Sequence, residues 1–113
     1  MILRKIWDKS TDKNRVSRLL IKGDETETMA LGYNSREKDA ACAMDFHDDE
    51  EEFYIILKGS GRLFIGDEEE EVGPGCVAYV PRNTRHKMIC ISEEKLEYLF
   101  VANWPGEEIK KQY

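Results

Sequence analysis

The stretch DFHDDEEEFYIILKG, residues 45–59, contains the features that decide the fold prediction. An apolar run of strand length follows Glu52, and Gly59 ends it where the chain can turn. Side chains of a strand alternate between its two faces, so Glu52, Tyr54 and Ile56 are expected on one side. The stretch therefore predicts a strand that begins with a carboxylate and carries apolar groups behind it on the same face.

Short segments of the same kind continue on both sides of this stretch. Glycine and proline divide the chain into pieces rich in apolar, β-branched or aromatic residues. About eight short antiparallel strands predict an all-β jelly-roll barrel, with an open sandwich as the alternative. The predicted strands cover residues 16–22, 28–33, 40–47, 52–58, 62–65, 76–80, 86–92 and 96–103.

Three of the predicted connections have residues that favour a particular backbone conformation. Gly66-Asp67 fits a two-residue hairpin turn, because glycine adopts a positive φ at little cost. Pro74-Gly75 fits a type II turn. Asn83 lies where a left-handed residue would be tolerated.

Length and charge limit the classes of protein that fit. The 113 residues suit one domain, 1–113, in which 1–14 and 104–113 flank the barrel as arms. The net charge of −6 argues against a nucleic-acid partner. The first residues lack the apolar stretch of a signal peptide or a membrane span, so a cytoplasmic protein with no membrane partner is expected.

Acidic runs and cysteines are first interpreted as structural features. Residues 48–51 and 67–71 are expected to be solvated loops. Three cysteines without a CxxC spacing suit reduced thiols, and each is expected to be a small buried side chain: Cys42, Cys76 and Cys90.

Both histidines of the chain lie in or beside predicted strands. Asp45 and His47 share a strand face, and a short turn would bring them to Glu52 at one mouth of a barrel, with His86 arriving from farther along the chain. Two imidazoles and two carboxylates suit Fe(II), Mn(II), Ni(II) or Zn(II). The alternative is that the histidines are ordinary strand residues beside an acidic turn.

The chain from Asp45 to His86 resembles the cupin superfamily in the spacing of both of its motifs. The first motif reads Asp45-Phe-His47, four residues, Glu52, six residues and Gly59. The second reads Gly75, five residues, Pro81-Arg-Asn83, two residues, His86, three residues and Cys90. Three positions depart from the pattern: Asp45 replaces a ligand histidine, Asn83 replaces a glycine, and Cys90 replaces an asparagine.

The resemblance implies a small single-domain cupin, a double-stranded β-helix with a divalent metal ion held by Asp45, His47, Glu52 and His86. Glu52 would serve as ligand or proton carrier. Candidates to line the pocket are Tyr54, Ile56, Met88 and Cys90, for each of which core packing is the alternative role.

The expected function is a metal-dependent enzyme acting on a small polar organic molecule, with oxygenase, isomerase and lyase chemistry all open. The alternative is a non-catalytic cupin that binds or senses a small molecule, with or without a metal. A homodimer formed through strands outside the pocket is also expected.

Overall fold

A computed structural model describes residues 1–7, 17–40, 44 and 50–104 of the chain. This part contains eight β-strands and a single 3-10 turn at Gly23–Glu25. The strands are β1 (Ser17–Ile21), β2 (Met29–Arg36), β3 (Glu51–Lys58), β4 (Gly61–Ile65), β5 (Glu68–Val72), β6 (Val77–Val80), β7 (His86–Cys90) and β8 (Leu96–Asn103).

The strands form two antiparallel sheets. One sheet has the order β1-β2-β8-β3-β6, and the other has the order β5-β4-β7. Neighbours in the sheets are often distant in sequence, as in the pairing of β3 with β8. This is the topology of a double-stranded β-helix, so the jelly-roll prediction is confirmed.

The main core lies between the two sheets and follows the alternation of the strands. Along β8, buried and partly exposed residues alternate without a break, and β7 repeats the same pattern. The core side chains therefore come from one face of each strand. They are Tyr54, Ile56, Leu63, Val80, Met88, Cys90, Leu96, Tyr98 and Phe100.

The predicted turns are present. Gly66 and Gly75 have φ values of 59° and 87°, and Asn83 is left-handed with φ 56°. The Cys76 backbone N–H donates to the Gly73 carbonyl oxygen at 3.0 Å, which closes the turn around Gly75.

Two strands differ from the prediction. β2 was predicted to end at residue 33 but continues to Arg36, because its pairing with β8 extends as far as Arg36 and Leu96. Glu68–Val72 is a strand, although its glutamates are exposed as expected for residues 67–71. Most of the predicted strand 40–47 lies outside the described residues, and its described members Ala40 and Met44 are not in a strand.

Both ends of the described chain contact the five-stranded sheet. The Arg4 side chain donates to the Leu20 carbonyl oxygen at 2.9 Å and pairs with Glu25. Trp104, the first residue of the predicted C-terminal arm, is fully buried in a second cluster with Ala30 and Ala102. Within the described ranges, no helix is long and apolar enough to cross a membrane.

Candidate metal centre

Glu52 is a buried carboxylate on the inner face of β3. Its residue exposure is 5%, and it lies in register with Val80 of β6 and Ala102 of β8. The alternation predicted from the sequence places Tyr54 and Ile56 on the same inner face, and both are buried. The carboxylate of Glu52 therefore lies in the interior, near the N-terminal end of β3.

His86 begins β7 and enters the interior from the opposite sheet. The turn that precedes it is held by Asn83 in the left-handed conformation and by the Gly66 N–H, which donates to the Arg85 carbonyl oxygen at 2.8 Å. The side chain of His86 is almost fully buried. The local sequence thus fixes where the ring leaves the backbone.

The two ring nitrogens of His86 have different environments. Nδ1 lies 3.0 Å from the Thr84 carbonyl oxygen, which can only accept, so Nδ1 carries a hydrogen and donates it. Nε2 lies 3.8 Å from Glu52 Oε2, too far for a direct hydrogen bond. A backbone carbonyl that orients Nδ1 while Nε2 faces a carboxylate is the arrangement of a metal-ligating histidine.

The electrostatics of the pair favour a cation. The side chains of His86 and Glu52 are 2% and 6% exposed, and a buried carboxylate needs nearby positive charge or hydrogen bonds. A divalent metal ion held by these two side chains would supply positive charge here. The donor set therefore fits a divalent metal that accepts nitrogen and oxygen ligands.

Aromatic side chains surround the pair. The Tyr54 ring meets His86 edge-on at 6.2 Å and Tyr98 at 5.3 Å. Asn34 Nδ2 donates to the Tyr98 hydroxyl at 3.2 Å. The predicted pocket-lining residues Tyr54, Ile56, Met88 and Cys90 all belong to the main core cluster.

Three expectations about burial need correction or extension. Glu50, expected in a solvated loop, is buried, with an exposure of 1%. Glu51 is half-buried and accepts hydrogen bonds from Tyr79 at 2.9 Å and Asn103 at 3.2 Å, which lower the pKa of its carboxyl group. Cys76, expected to be buried, is exposed because it lies in the turn before β6, whereas Cys90 is buried as expected.

The structure brings together two of the four predicted ligands, Glu52 and His86. Asp45 and His47 lie outside the described residues, as does Cys42. Within the described part of the chain, no group of three or more His, Cys, Asp or Glu side chains could hold a metal. Glu50 therefore does not complete a site with Glu52 and His86.

The fold and the buried pair define a double-stranded β-helix protein with a histidine and a carboxylate inside one end of its barrel. The family profile described as "Cupin domain" matches residues 36–102, more than half of the chain. The chain belongs to the cupin family. None of the curated proteins matches it in sequence.

Several solved structures share this fold. An RmlC-like cupin family protein from Methanocaldococcus jannaschii is 22% identical, with a TM-score of 0.70 over 92% of this chain and 93% of that chain. A predicted oxalate decarboxylase from Thermotoga maritima is 18% identical, with a TM-score of 0.72 over 78% of each chain. A protein from Thermus thermophilus is 19% identical, with a TM-score of 0.75 over 92% of this chain and 98% of that chain. These likenesses show the fold.

Proposed function

We propose that this cupin binds a divalent metal ion, Fe, Mn, Ni or Zn, through Asp45, His47, Glu52 and His86, and acts as an enzyme on a small polar organic molecule. The observation that carries the proposal is the approach of His86 Nε2 to Glu52 Oε2 at 3.8 Å, with Nδ1 oriented by the Thr84 carbonyl. The metal, when bound, would supply Lewis acidity or redox chemistry and open positions for a substrate.

The chain's own residues have separate tasks in this proposal. Thr84 fixes the tautomer of His86, so that Nε2 is available to a cation. Glu52 neutralises positive charge in the interior and is also placed to hold a proton during a reaction. Tyr54, in edge contact with the imidazole, limits water around His86.

The test is metal analysis of protein purified without an affinity tag, followed by titration with Fe(II), Mn(II), Ni(II) and Zn(II). A thermal-shift screen of small organic acids, carbonyl compounds and sugar derivatives then follows on the metal-loaded protein. A ligand present at 100 times its Kd stabilises the folded state by about 2.7 kcal/mol, which such a screen detects.

The outcomes separate the two functions expected from the sequence. Metal-dependent turnover of a stabilising compound supports the enzyme. Stabilisation without turnover indicates a module that binds or senses the compound. Absence of binding for all four metals would refute the metal site.

A further inference from the structure

A groove opens on the side of the barrel where β5 and β6 lie. β5 is at one end of its sheet, and β6 is at one end of the other. The groove has a volume of about 200 Å³ and apolar walls, except along β5. We name it the β5–β6 groove. Its apolar lining residues are Leu63, Ile65, Val72, Val77 and Ala78, and its acidic ones are Glu68, Glu69 and Glu70.

Two glutamates of β5 point to the inner side of their sheet. Glu68 lies opposite Ile65, and Glu70 lies opposite Leu63. Residues directly opposite in an antiparallel pair project from the same side, and Leu63 is buried in the main core. Among the described residues, no lysine or arginine forms an ion pair with either glutamate. A partner that fills the groove must therefore bring positive charge as well as apolar surface.

The backbone beside the groove is open to pairing. In the part of the chain that the structure describes, β5 pairs only with β4. Extended peptides bind proteins by adding a strand at an edge of this kind. Pockets for whole small molecules usually have about 300 Å³ or more, and this groove is smaller. The edge and the volume together favour an extended segment, which inserts only its side chains.

Lysine and arginine side chains match both kinds of wall. Each has an apolar stem that packs against apolar surface and a charged head. In a strand beside β5, the stem would lie on Val72 and Ala78, and the head would reach Glu68 or Glu70. Opposite charges on neighbouring strands stabilise their pairing. The net charge of −6 attracts a basic partner over a longer range.

We propose that the β5–β6 groove binds a basic peptide segment in extended conformation, with lysine or arginine at alternate positions, and that this segment adds a strand to β5. The apolar walls hold the side-chain stems, the inward-facing carboxylates hold their charges, and the open edge pairs with the peptide backbone. The proposal uses none of the proposed metal ligands and does not depend on the proposed function.

A seven-residue peptide of alternating lysine and threonine is the probe, and isothermal titration with the whole chain measures its affinity. A peptide with glutamine in place of each lysine has similar size without the charge and should bind about ten-fold more weakly or worse. Higher salt should weaken the lysine peptide, because exposed charges are screened. Butylammonium tests a small cation, and binding as tight as that of the peptide would contradict strand addition.

Charge reversal on the chain tests the place of binding. Glu68→Lys combined with Glu70→Lys should weaken the lysine peptide about ten-fold or more, because two favourable cross-strand pairs become unfavourable. Glu27→Lys combined with Glu94→Lys changes the net charge equally at exposed positions outside the groove, and should have a much smaller effect. Circular dichroism establishes that both variants are folded, and Glu68→Gln with Glu70→Gln replaces the first variant if lysine prevents folding.

Backbone methylation of the peptide tests strand addition itself. Backbone N–H groups of a strand alternate between its two edges, so methylating the lysine nitrogens and methylating the threonine nitrogens block opposite edges. One methylated peptide should lose binding and the other should keep it. Equal effects of the two methylations, no binding of the lysine peptide, or binding that tolerates the reversal of Glu68 and Glu70 would overturn the proposal.

Discussion

Glu52 Oε2 and His86 Nε2 approach to 3.8 Å although their strands belong to different sheets. The pair therefore bridges the interior, and its geometry depends on how the two sheets pack. Neighbouring Glu51 belongs to the same strand but reaches Tyr79 and Asn103 at the other side of its sheet. Because Glu51 and Glu52 point to opposite faces of the same strand, a substitution of Glu51 is a control for the same substitution of Glu52.

Glu52→Gln should weaken metal binding, whereas Glu51→Gln should not. The substitution keeps size and removes charge, so it lowers the attraction for a cation only where the carboxylate faces the site. Changes in the surroundings of a metal ligand cost about 10–100-fold in affinity, and loss of a ligand charge should cost at least as much. Isothermal titration of both variants checks this, and equal affinities would remove Glu52 from the ligand set.

Loss of His86 should abolish stabilisation by metal. In the wild type, metal at 100 times its Kd should raise the free energy of unfolding by about 2.7 kcal/mol. His86→Ala removes Nε2, so its unfolding curve with metal should coincide with its curve under a chelator. Urea unfolding of both proteins gives the comparison, and an undiminished metal effect in the variant would contradict the proposed site.

Asp45 is predicted to be a working ligand. Asp45→Ala should weaken metal binding, and Asp45→His should preserve or tighten it, because the cupin motif has a histidine at this position. If the side chain faced water, screening over about 8 Å at physiological salt would make both changes nearly silent. Titration of the same four metals decides, and unchanged affinities would leave at most His47, Glu52 and His86.

Gly32→Ala should destabilise the barrel. A Cβ at this position would lie 2.0 Å from Cζ of Phe100, so the ring must move, and overpacking of this kind costs about 1–3 kcal/mol. Gly73→Ala is the control, because its Cβ would meet only Ser60 Oγ at 4.0 Å. Thermal unfolding should show a lower Tm for the first variant and little change for the second.

The N-terminal arm should detach in acid. Hydrogen bonding from Arg4, and then from the Lys22 backbone, holds the pKa of Glu25 below its usual value of 4.5. A lowered carboxyl pKa stabilises the arm contact above pH 4.5 and loses that effect as the pH falls through the folded-state value. Burial raises the pKa of Glu97, but hydrogen bonds from Tyr33 and Trp7 outweigh it, so this second anchor titrates in the same direction.

Trp7 fluorescence measures this detachment. Buried Trp104 also fluoresces, so the signal of Trp7 is obtained by subtracting the spectrum of Trp7→Phe from that of the wild type. Arg4→Met should shift the midpoint upwards, because the lowered pKa of Glu25 depends first on Arg4. A wild-type transition above pH 4.5 would show that other groups hold the arm.

Most of the fold could be predicted from the alternation of residues along strands and from the residue types that favour turns. Period-two alternation placed Glu52 and Tyr54 inside, and Asn83 was expected where the backbone is left-handed. β5 could not be predicted, because glutamate is a poor strand former and an unbroken glutamate run has no alternation. Its pairing with β4 overrides that local preference.

The candidate site was predictable only in part. Motif spacing selected Glu52 and His86, which belong to strands that never pair with each other. The burial of Glu50 was not predicted, because Glu50 lies in an acidic run that was interpreted as a solvated loop. Its position two residues before Glu52 would have indicated that both side chains lie on the same face. The orientation of His86 by Thr84 depends on a backbone carbonyl, which no side-chain pattern reveals.

The glutamates of β5 have a consequence for colloidal behaviour. β5 is the outermost described strand on one side of its sheet, and such a strand offers unpaired N–H and C=O groups to any passing chain. A second β5 docking there would place carboxylates opposite carboxylates about 4.8 Å away, where like charges repel. The exposed glutamates of β5 therefore oppose edge-to-edge pairing of two barrels through this strand.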